Sequence, residues 1–213
     1  MLQIIKLPLG PIQTNCYLLA DAEIKICVVV DPSGSAQSIE KVIRKEGWHL
    51  QAIWLTHAHW DHFLGLVALL EKYPETPVAL HVLDLPLYQA GGGARWWNIP
   101  IELGPAPRIA LEQVRTLQVG AHSAQVLFVP GHAPGHVAFY FAHAQALIGG
   151  DVLFAGSIGR TDLPSANHAQ LLASIRAQFL TLPDATIVYP GHGENTTIGT
   201  ERVSNPHLLD ASW

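Results

Sequence analysis

The segment Thr56-His-Ala-His-Trp-Asp-His62 constrains this chain more than any other. It follows the short apolar run Gln51-Ala-Ile-Trp-Leu55 and sets His57, His59, Asp61 and His62 side by side. In extended chain, residues two apart project to one side. His57 and His59 therefore point together, and Asp61 and His62 on the continuing turn reach a neighbouring point. Three more apolar runs end in the same kind of residue. Residues 124–129 lead into Pro130-Gly131-His132, 146–148 into Gly149-Gly150-Asp151, and 186–189 into Pro190-Gly191-His192. Each has a glycine immediately before the His or Asp, which permits a tight turn and close approach to a ligand. The fold is expected to gather these four strand ends at one place.

A single histidine at a strand end is ordinarily a hydrogen-bonded surface residue. Seven ionisable groups at the mouth of an apolar core would instead cost several kcal/mol in desolvation and repulsion unless something compensates them. Imidazole and carboxylate together suit zinc, iron or manganese, and seven ligands exceed what one tetrahedral ion takes. Two divalent ions are the economical expectation, with Asp151 as the bridge between them. Of the chain's twelve histidines, His49, His81, His122, His143, His168 and His207 lack such company and are expected at the surface or in packing. His136, in Gly131-His-Ala-Pro-Gly-His136, is expected to hold the loop that carries His132.

The rest of the sequence frames this centre. At 213 residues, 49% of them hydrophobic and 14% charged, the chain suits one globular domain, residues 1–213, with a sizeable core. Seventeen acidic against twelve basic residues give a net charge of −5, and no Lys/Arg stripe is present, so nucleic acid is a poor partner. The absence of a signal-peptide pattern and of a long apolar stretch leads us to expect a cytoplasmic protein without a membrane span. Cys16 and Cys27 would face each other if residues 16–20 and 24–30 paired as a hairpin. Cross-strand bridging is geometrically awkward, so two buried, reduced thiols are expected. There is no Gly-x-Ser-x-Gly elbow, since Ala155-Gly-Ser-Ile-Gly159 only approximates one, and no Walker A or dinucleotide glycine pattern.

Periodicity predicts strands at Leu2–Leu7, Cys16–Ala20, Ile24–Val30, Gln51–Leu55, Val78–His81, Gln113–Leu117, 124–129, Val137–Phe141, 146–148 and 186–189. Helices are predicted at Ser35–Glu46, Phe63–Tyr73, Val82–Gln89 and His168–Phe179. Strands thus come in two runs, each followed by helices, which two face-to-face sheets with helices outside would satisfy. Residues 91–110 read as a long ordered loop, whose Trp96 and Trp97 serve either a substrate cleft or a subunit contact. The sequence does not fix the oligomeric state.

With these residues in place, the chain resembles the metallo-β-lactamase superfamily, whose signature His-x-His-x-Asp-His stands here as His57-Ala-His59-Trp-Asp61-His62. The resemblance implies an α/β fold, a four-layer αββα sandwich of two mixed sheets. It also implies one metal on His57, His59 and His132, a second on Asp61, His62 and His192, and Asp151 bridging. Residues 150–164, together with Tyr189-Pro-Gly-His-Gly193 and Thr200-Glu-Arg-Val-Ser-Asn-Pro206, look like the short glyoxalase II branch without its C-terminal helical domain. Arg160 falls where larger members use a lysine near glutathione, which implies a substrate-binding cation, with a structural salt bridge as the alternative, while Asp162 and Glu194 stand where they carry tyrosines.

That resemblance implies hydrolysis of a small-molecule thioester such as S-D-lactoylglutathione, with Asp61 orienting the attacking water or taking its proton. Two metals, zinc first and iron or manganese next, would supply hydroxide at neutral pH without a side-chain nucleophile. A thiol leaves readily as thiolate. The alternatives are a mononuclear iron persulfide dioxygenase on His57, His132 and Asp151, and a metal-binding protein without turnover.

Overall fold

The computed structural model describes residues 1–209. Six strands form the first sheet in spatial order of sequence: β1 Leu2–Leu9, β2 Thr14–Asp21, β3 Ile26–Val30, β4 His49–Trp54, β5 Val78–Leu80 and β6 Ile109–Ala110. The first three pair antiparallel and β3 to β6 run parallel. After β7 Thr116–Val119, β8 His122–Phe128, β9 Val137–Phe141 and β10 Ala146–Gly150 comes a small hairpin, β11 Leu153–Phe154 and β12 Ser157–Ile158. The chain then adds β13 Ile187–Pro190 and β14 Thr196–Thr197. The second sheet has the order β14-β13-β10-β9-β8-β7.

Alternation along the strands makes the layers. In β2, Cys16, Leu18 and Ala20 face one apolar cluster while Tyr17 and Leu19 face another. In β9, Val137, Phe139 and Phe141 join that second cluster, and Ala138 and Tyr140 a third. Period-two side-chain placement on strands buried on both faces therefore yields three stacked apolar layers. The middle one lies between the sheets, where Trp54 packs on Phe139 with ring centroids 5.0 Å apart. The outer two are covered by helices. Helix α1 Ala36–Glu46 is capped by Ser35, whose side chain accepts the Ser38 N–H, and ends at Gly47 in the left-handed conformation. It shares its cluster with helix α3 Leu66–Lys72, and helix α5 His168–Ser174 covers the far sheet. This is the expected αββα sandwich.

Some boundaries differ from the sequence reading. The predicted helix 63–73 is two pieces, α2 Trp60–Phe63 and α3, so the second half of the His-rich motif is itself helical. The break falls where Gly65 donates its N–H to the Pro32 carbonyl at 2.8 Å. Residues 82–89 split into a 3-10 turn, Val82–Asp84, and helix α4 Leu85–Gln89. The predicted strand at 113–117 lies further on, at β7, behind a 3-10 turn at Leu111–Gln113. Residues 175–179 continue α5 as a π-helical turn. The 91–110 loop contains a 3-10 turn, Ala94–Trp97, and closes on β6. Helices α6 Ile198–Ser204 and α7 Pro206–Leu209 complete the described chain. Among the described residues no helix is long and apolar enough to cross a membrane. Cys16 lies opposite Leu7 and Cys27 opposite Ala20, so the two thiols do not face each other; both are buried and free.

Topology places the site. β8 and β10 both run antiparallel to β9, and β13 runs parallel to β10. The C-terminal ends of β8, β10 and β13 therefore share one edge of the second sheet. The end of β4 meets them there, because Val137 N–H donates to the Thr56 carbonyl across the sheets at 2.8 Å.

Candidate metal centre

Seven side chains converge at that edge. His57, His59 and His132 form one group, Asp61, His62 and His192 another, and His57, His62 and Asp151 a third that overlaps both; within each, the donor atoms lie within 4.8 Å of one another. His59 Nδ1 and His132 Nε2 are 2.9 Å apart. His62 Nε2 stands 3.3 Å from Asp61 Oδ2 and 3.5 Å from Asp151 Oδ1. His132 Nε2 and His192 Nε2 each lie 3.6 Å from Asp151 Oδ2. Atoms bound about 2.1 Å from one tetrahedral ion sit roughly 3.4 Å apart, so these spacings are compatible with ligands arranged around cations. All but His192 are buried.

A second observation tests the fit. His57 Nε2, His62 Nε2 and Asp151 Oδ1 are buried without a hydrogen-bond partner. Native interiors rarely leave such atoms orphaned, and these three converge in the overlapping group. Gly191 keeps the space open, because a Cβ there would overlap Asp151 Oδ1 and lie 2.8 Å from the His62 ring. Gly131 serves the neighbouring turn. Its φ of 136° and its closeness to the Leu171 backbone exclude a side chain, and its carbonyl accepts the Asn167 N–H at 2.7 Å where α5 begins.

The charge states divide along the same lines. Burial, helped by neighbouring imidazoles, drives His57 well below the usual histidine range and takes His59 down to about 3. Burial also lowers His132. These three are neutral, the form that ligates metal. Burial opposes a charge on His62 too, but Asp61, Asp151 and Asp31 outweigh it and hold its pKa well above normal. His192 is raised as well: burial lowers it, and its bond to Asp61 wins. Burial alone would raise Asp151, but the histidines around it, His62 foremost, hold it far below the carboxylate range.

Supporting residues that sequence reasoning missed orient the donors. Asp31, at the end of β3, accepts the Thr56 N–H at 2.8 Å, the Thr56 hydroxyl at 2.7 Å and His62 Nδ1 at 2.9 Å. That fixes the His62 ring so that Nε2 faces the centre. Thr14 donates its hydroxyl to Asp61 Oδ2 at 2.7 Å. Asp84 accepts the N–H groups of Ala58 and Gly135 at 2.8 and 2.5 Å, joining the His57–His62 segment to the turn after His132. Asp31 carried a usable signal, an acid directly after the apolar run Cys27-Val-Val-Val30. Asp84 and Thr14 had none.

One expectation needs correction. The His136 side chain does not hold the His132 loop. Its Nε2 accepts the Asp151 backbone N–H at 3.0 Å, and its ring stacks on His57 at 4.6 Å. The Asp151 turn requires this acceptor, because β10 ends there and offers that N–H no strand partner. His81, grouped with surface or packing residues, is buried, stacked on Phe128 at 4.7 Å, and caps the 82–84 turn. Arg160 borders the centre, but its guanidinium makes two 2.7 Å bonds to Asp162.

A cleft of about 130 Å³ opens over the centre, with His59, Asp61, His132, Asp151 and His192 at its floor. Ile12, Trp60, Trp96, Trp97 and Leu163 supply its apolar sides. The two tryptophans of the long loop therefore line the cleft.

Comparison with known proteins identifies the family and agrees with the fold. The sequence profile of the metallo-beta-lactamase superfamily matches residues 9–192. The probable metallo-hydrolase YqgX of Bacillus subtilis (strain 168) is 40% identical over 207 residues, covering 95% of this chain and 96% of its own. Hydroxyacylglutathione hydrolase GloC of Haemophilus influenzae is 32% identical over 97% of this chain and 98% of its own. Among solved structures, the BLEG-1 B3 metallo-beta-lactamase superposes with a TM-score of 0.91 at 40% identity, covering 97% of this chain and 100% of that one. TTHA1623, crystallised in a di-iron-bound form, gives 0.84 at 42% identity, over 95% and 98%.

Proposed function

This chain belongs to the metallo-β-lactamase superfamily, and from that premise we propose that it is a dinuclear metal-dependent thioesterase acting on a glutathione thioester such as S-D-lactoylglutathione. The superfamily membership and the curated relatives make it a metal-dependent hydrolase; the thioester is our assignment. The observation that carries it is the convergence of seven donors from four strand ends, three of them buried and unpartnered, beneath an open cleft. The GloC relative supports the choice of thioester.

His57, His59 and His132 would hold one ion and Asp61, His62 and His192 the other, with Asp151 shared between them. Such ions supply a water of lowered pKa and a Lewis acid for the carbonyl oxygen. Zinc is our first assignment, and the di-iron relative keeps iron beside it. The protein's own part is orientation. Thr14 fixes the Asp61 carboxylate, which is held ionised because His62 and His192 outweigh the upward push of burial. Asp61 is thus placed to accept a proton from the attacking water. Asp31 and His136 hold His62 and the Asp151 backbone in register, and Trp60 and Trp97 give the cleft apolar surface. The thiolate departs without needing a proton. Arg160 borders the cleft with its guanidinium bonded to Asp162.

The test is elemental analysis of the purified protein together with the thioester absorbance of S-D-lactoylglutathione. Two metals per chain and a steady loss of absorbance, abolished by chelation, are expected. One iron per chain with oxygen uptake on glutathione persulfide would replace this assignment with a dioxygenase. Bound metal with no turnover of either substrate would leave a metal-binding protein.

A further inference from the structure

We propose that the cleft selects its substrate by an apolar acyl group, lodged between Ile12 and the indoles of Trp96 and Trp97; this rests on the thioesterase reading above and names the acyl class it prefers. Ile12, Trp96 and Trp97 are 49%, 47% and 53% exposed, and all three border the cleft that opens on the metal donors. They come from two segments far apart in sequence, the β1–β2 turn and the 91–110 loop. Exposed apolar side chains scattered singly need no explanation, whereas a cluster of large ones around a reactive centre marks a binding surface.

The turn that carries the tryptophans is held in place. Trp60 N–H, inside the ligand motif, donates to the Gly92 carbonyl at 3.1 Å, which pins the start of the tryptophan turn to the metal centre. A side chain at Gly92 would overlap the Trp60 backbone, so the two segments are in direct contact. Arg95 lies over the Trp96 ring at 5.7 Å and braces it. Rigid aromatic surface binds apolar groups with little ordering cost.

Charge recognition, by contrast, is already satisfied within the protein. Among the described residues, Arg160 is the one Lys or Arg lining the cleft, and Asp162 grips it with two bonds. Lys6, near the His192 turn, donates to the Gly193 carbonyl and pairs with Glu194. A carboxylate on the thiol part would have to displace one of these partners. The volume points the same way. At about 130 Å³ the cleft is well below the roughly 300–1,000 Å³ of pockets that enclose a drug-sized ligand. It matches an acyl group in size and is too small to enclose a tripeptide.

Each methylene buried against this surface should add about fourfold in affinity. The test has two readouts. Calorimetric binding of the unreactive thioethers S-methyl-, S-butyl- and S-hexylglutathione to the full protein should tighten at least tenfold across the series. In parallel, kcat/KM should rise from acetyl and lactoyl to hexanoyl and phenylacetyl thioesters, and should change by less than about threefold when N-acetylcysteamine replaces glutathione. Trp96→Ala and Trp97→Ala should flatten both series, with metal content retained, whereas Phe at either position should preserve most of the slope.

A flat thioether series, a slope that survives both alanine substitutions, or a collapse of kcat/KM on removing the glutathione charges would overturn the proposal. Thioesters hydrolysed without acyl preference sink this inference and leave the thioesterase standing. A thioether slope without hydrolysis of any thioester does the reverse.

Discussion

His136 takes the backbone N–H of Asp151 on its Nε2 at 3.0 Å, which puts the ring's own proton on Nδ1. Burial keeps the ring neutral, well below the usual histidine range. The arrangement holds the turn that presents the Asp151 carboxylate. His136→Ala should weaken metal binding about 10- to 100-fold, while His136→Gln, whose amide oxygen can accept the same N–H, should recover part of it. Competition against a chelator of known affinity measures both. Equal loss in the two variants would mean that the stacking on His57 matters and the hydrogen bond does not.

Metal uptake should release protons. In the metal-free protein the surrounding carboxylates keep His62 charged, and His192 is raised in the same sense, yet a metal takes only the neutral ring. We expect about one to two protons released per chain at pH 7 and an affinity that rises with pH. Calorimetric titration in buffers of different ionisation enthalpy reads this directly. An enthalpy independent of buffer would show that His62 is neutral before the metal arrives.

Asp84 predicts a pH effect of opposite sense. Burial pushes its carboxyl up to about 6 against two backbone N–H groups that pull it down. With a folded value above the unfolded 3.8, the folded state holds an extra proton between these limits. Stability from this group is therefore present below about pH 4 and lost as pH rises through 6, by about 1.4 kcal/mol per unit over about two units. Asp84→Asn cannot titrate and leaves one N–H unpaired, at a cost of about 1–3 kcal/mol. The advantage of wild type over this variant, measured by denaturant unfolding of metal-free protein, should shrink from pH 4 to pH 7. An advantage that grows instead would mean that the two donors outweigh burial.

Gly191→Ala should separate folding from metal binding. The new methyl group would overlap Asp151 Oδ1 and crowd His62, at a turn outside the three apolar clusters. Its metal-free Tm should stay within about 4 °C of wild type, a change of roughly 1 kcal/mol. The rise in Tm that added metal gives wild type should be absent. Retained stoichiometry by elemental analysis would show that the cradle can shift to accept a side chain.

The sequence revealed the donors because they share a rule. Each sits just past an apolar strand, three behind a glycine, and strands that run the same way bring such ends to one edge. The layers were legible for a related reason, since alternation in β2 and continuous burial in β9 require cover on both faces. Long-range pairings were not legible. Nothing near Asp84 announces that it will receive the N–H groups of Ala58 and Gly135, 26 and 51 positions away. His136 was misassigned by proximity, because a local loop contact looked more economical than a reach to Asp151 fifteen residues on. The helix break at Gly65 depends on a bond to Pro32 that periodicity within 63–73 cannot show.

The first sheet contributes His57 through His62, and the second contributes His132, Asp151 and His192. An ion gripped from both sides therefore acts as a rivet through the sandwich, resisting any sliding of one sheet over the other. Trimming Trp54 or Phe139, deep between the sheets, should consequently surface as faster escape of the ion, although neither ring belongs to its donor set.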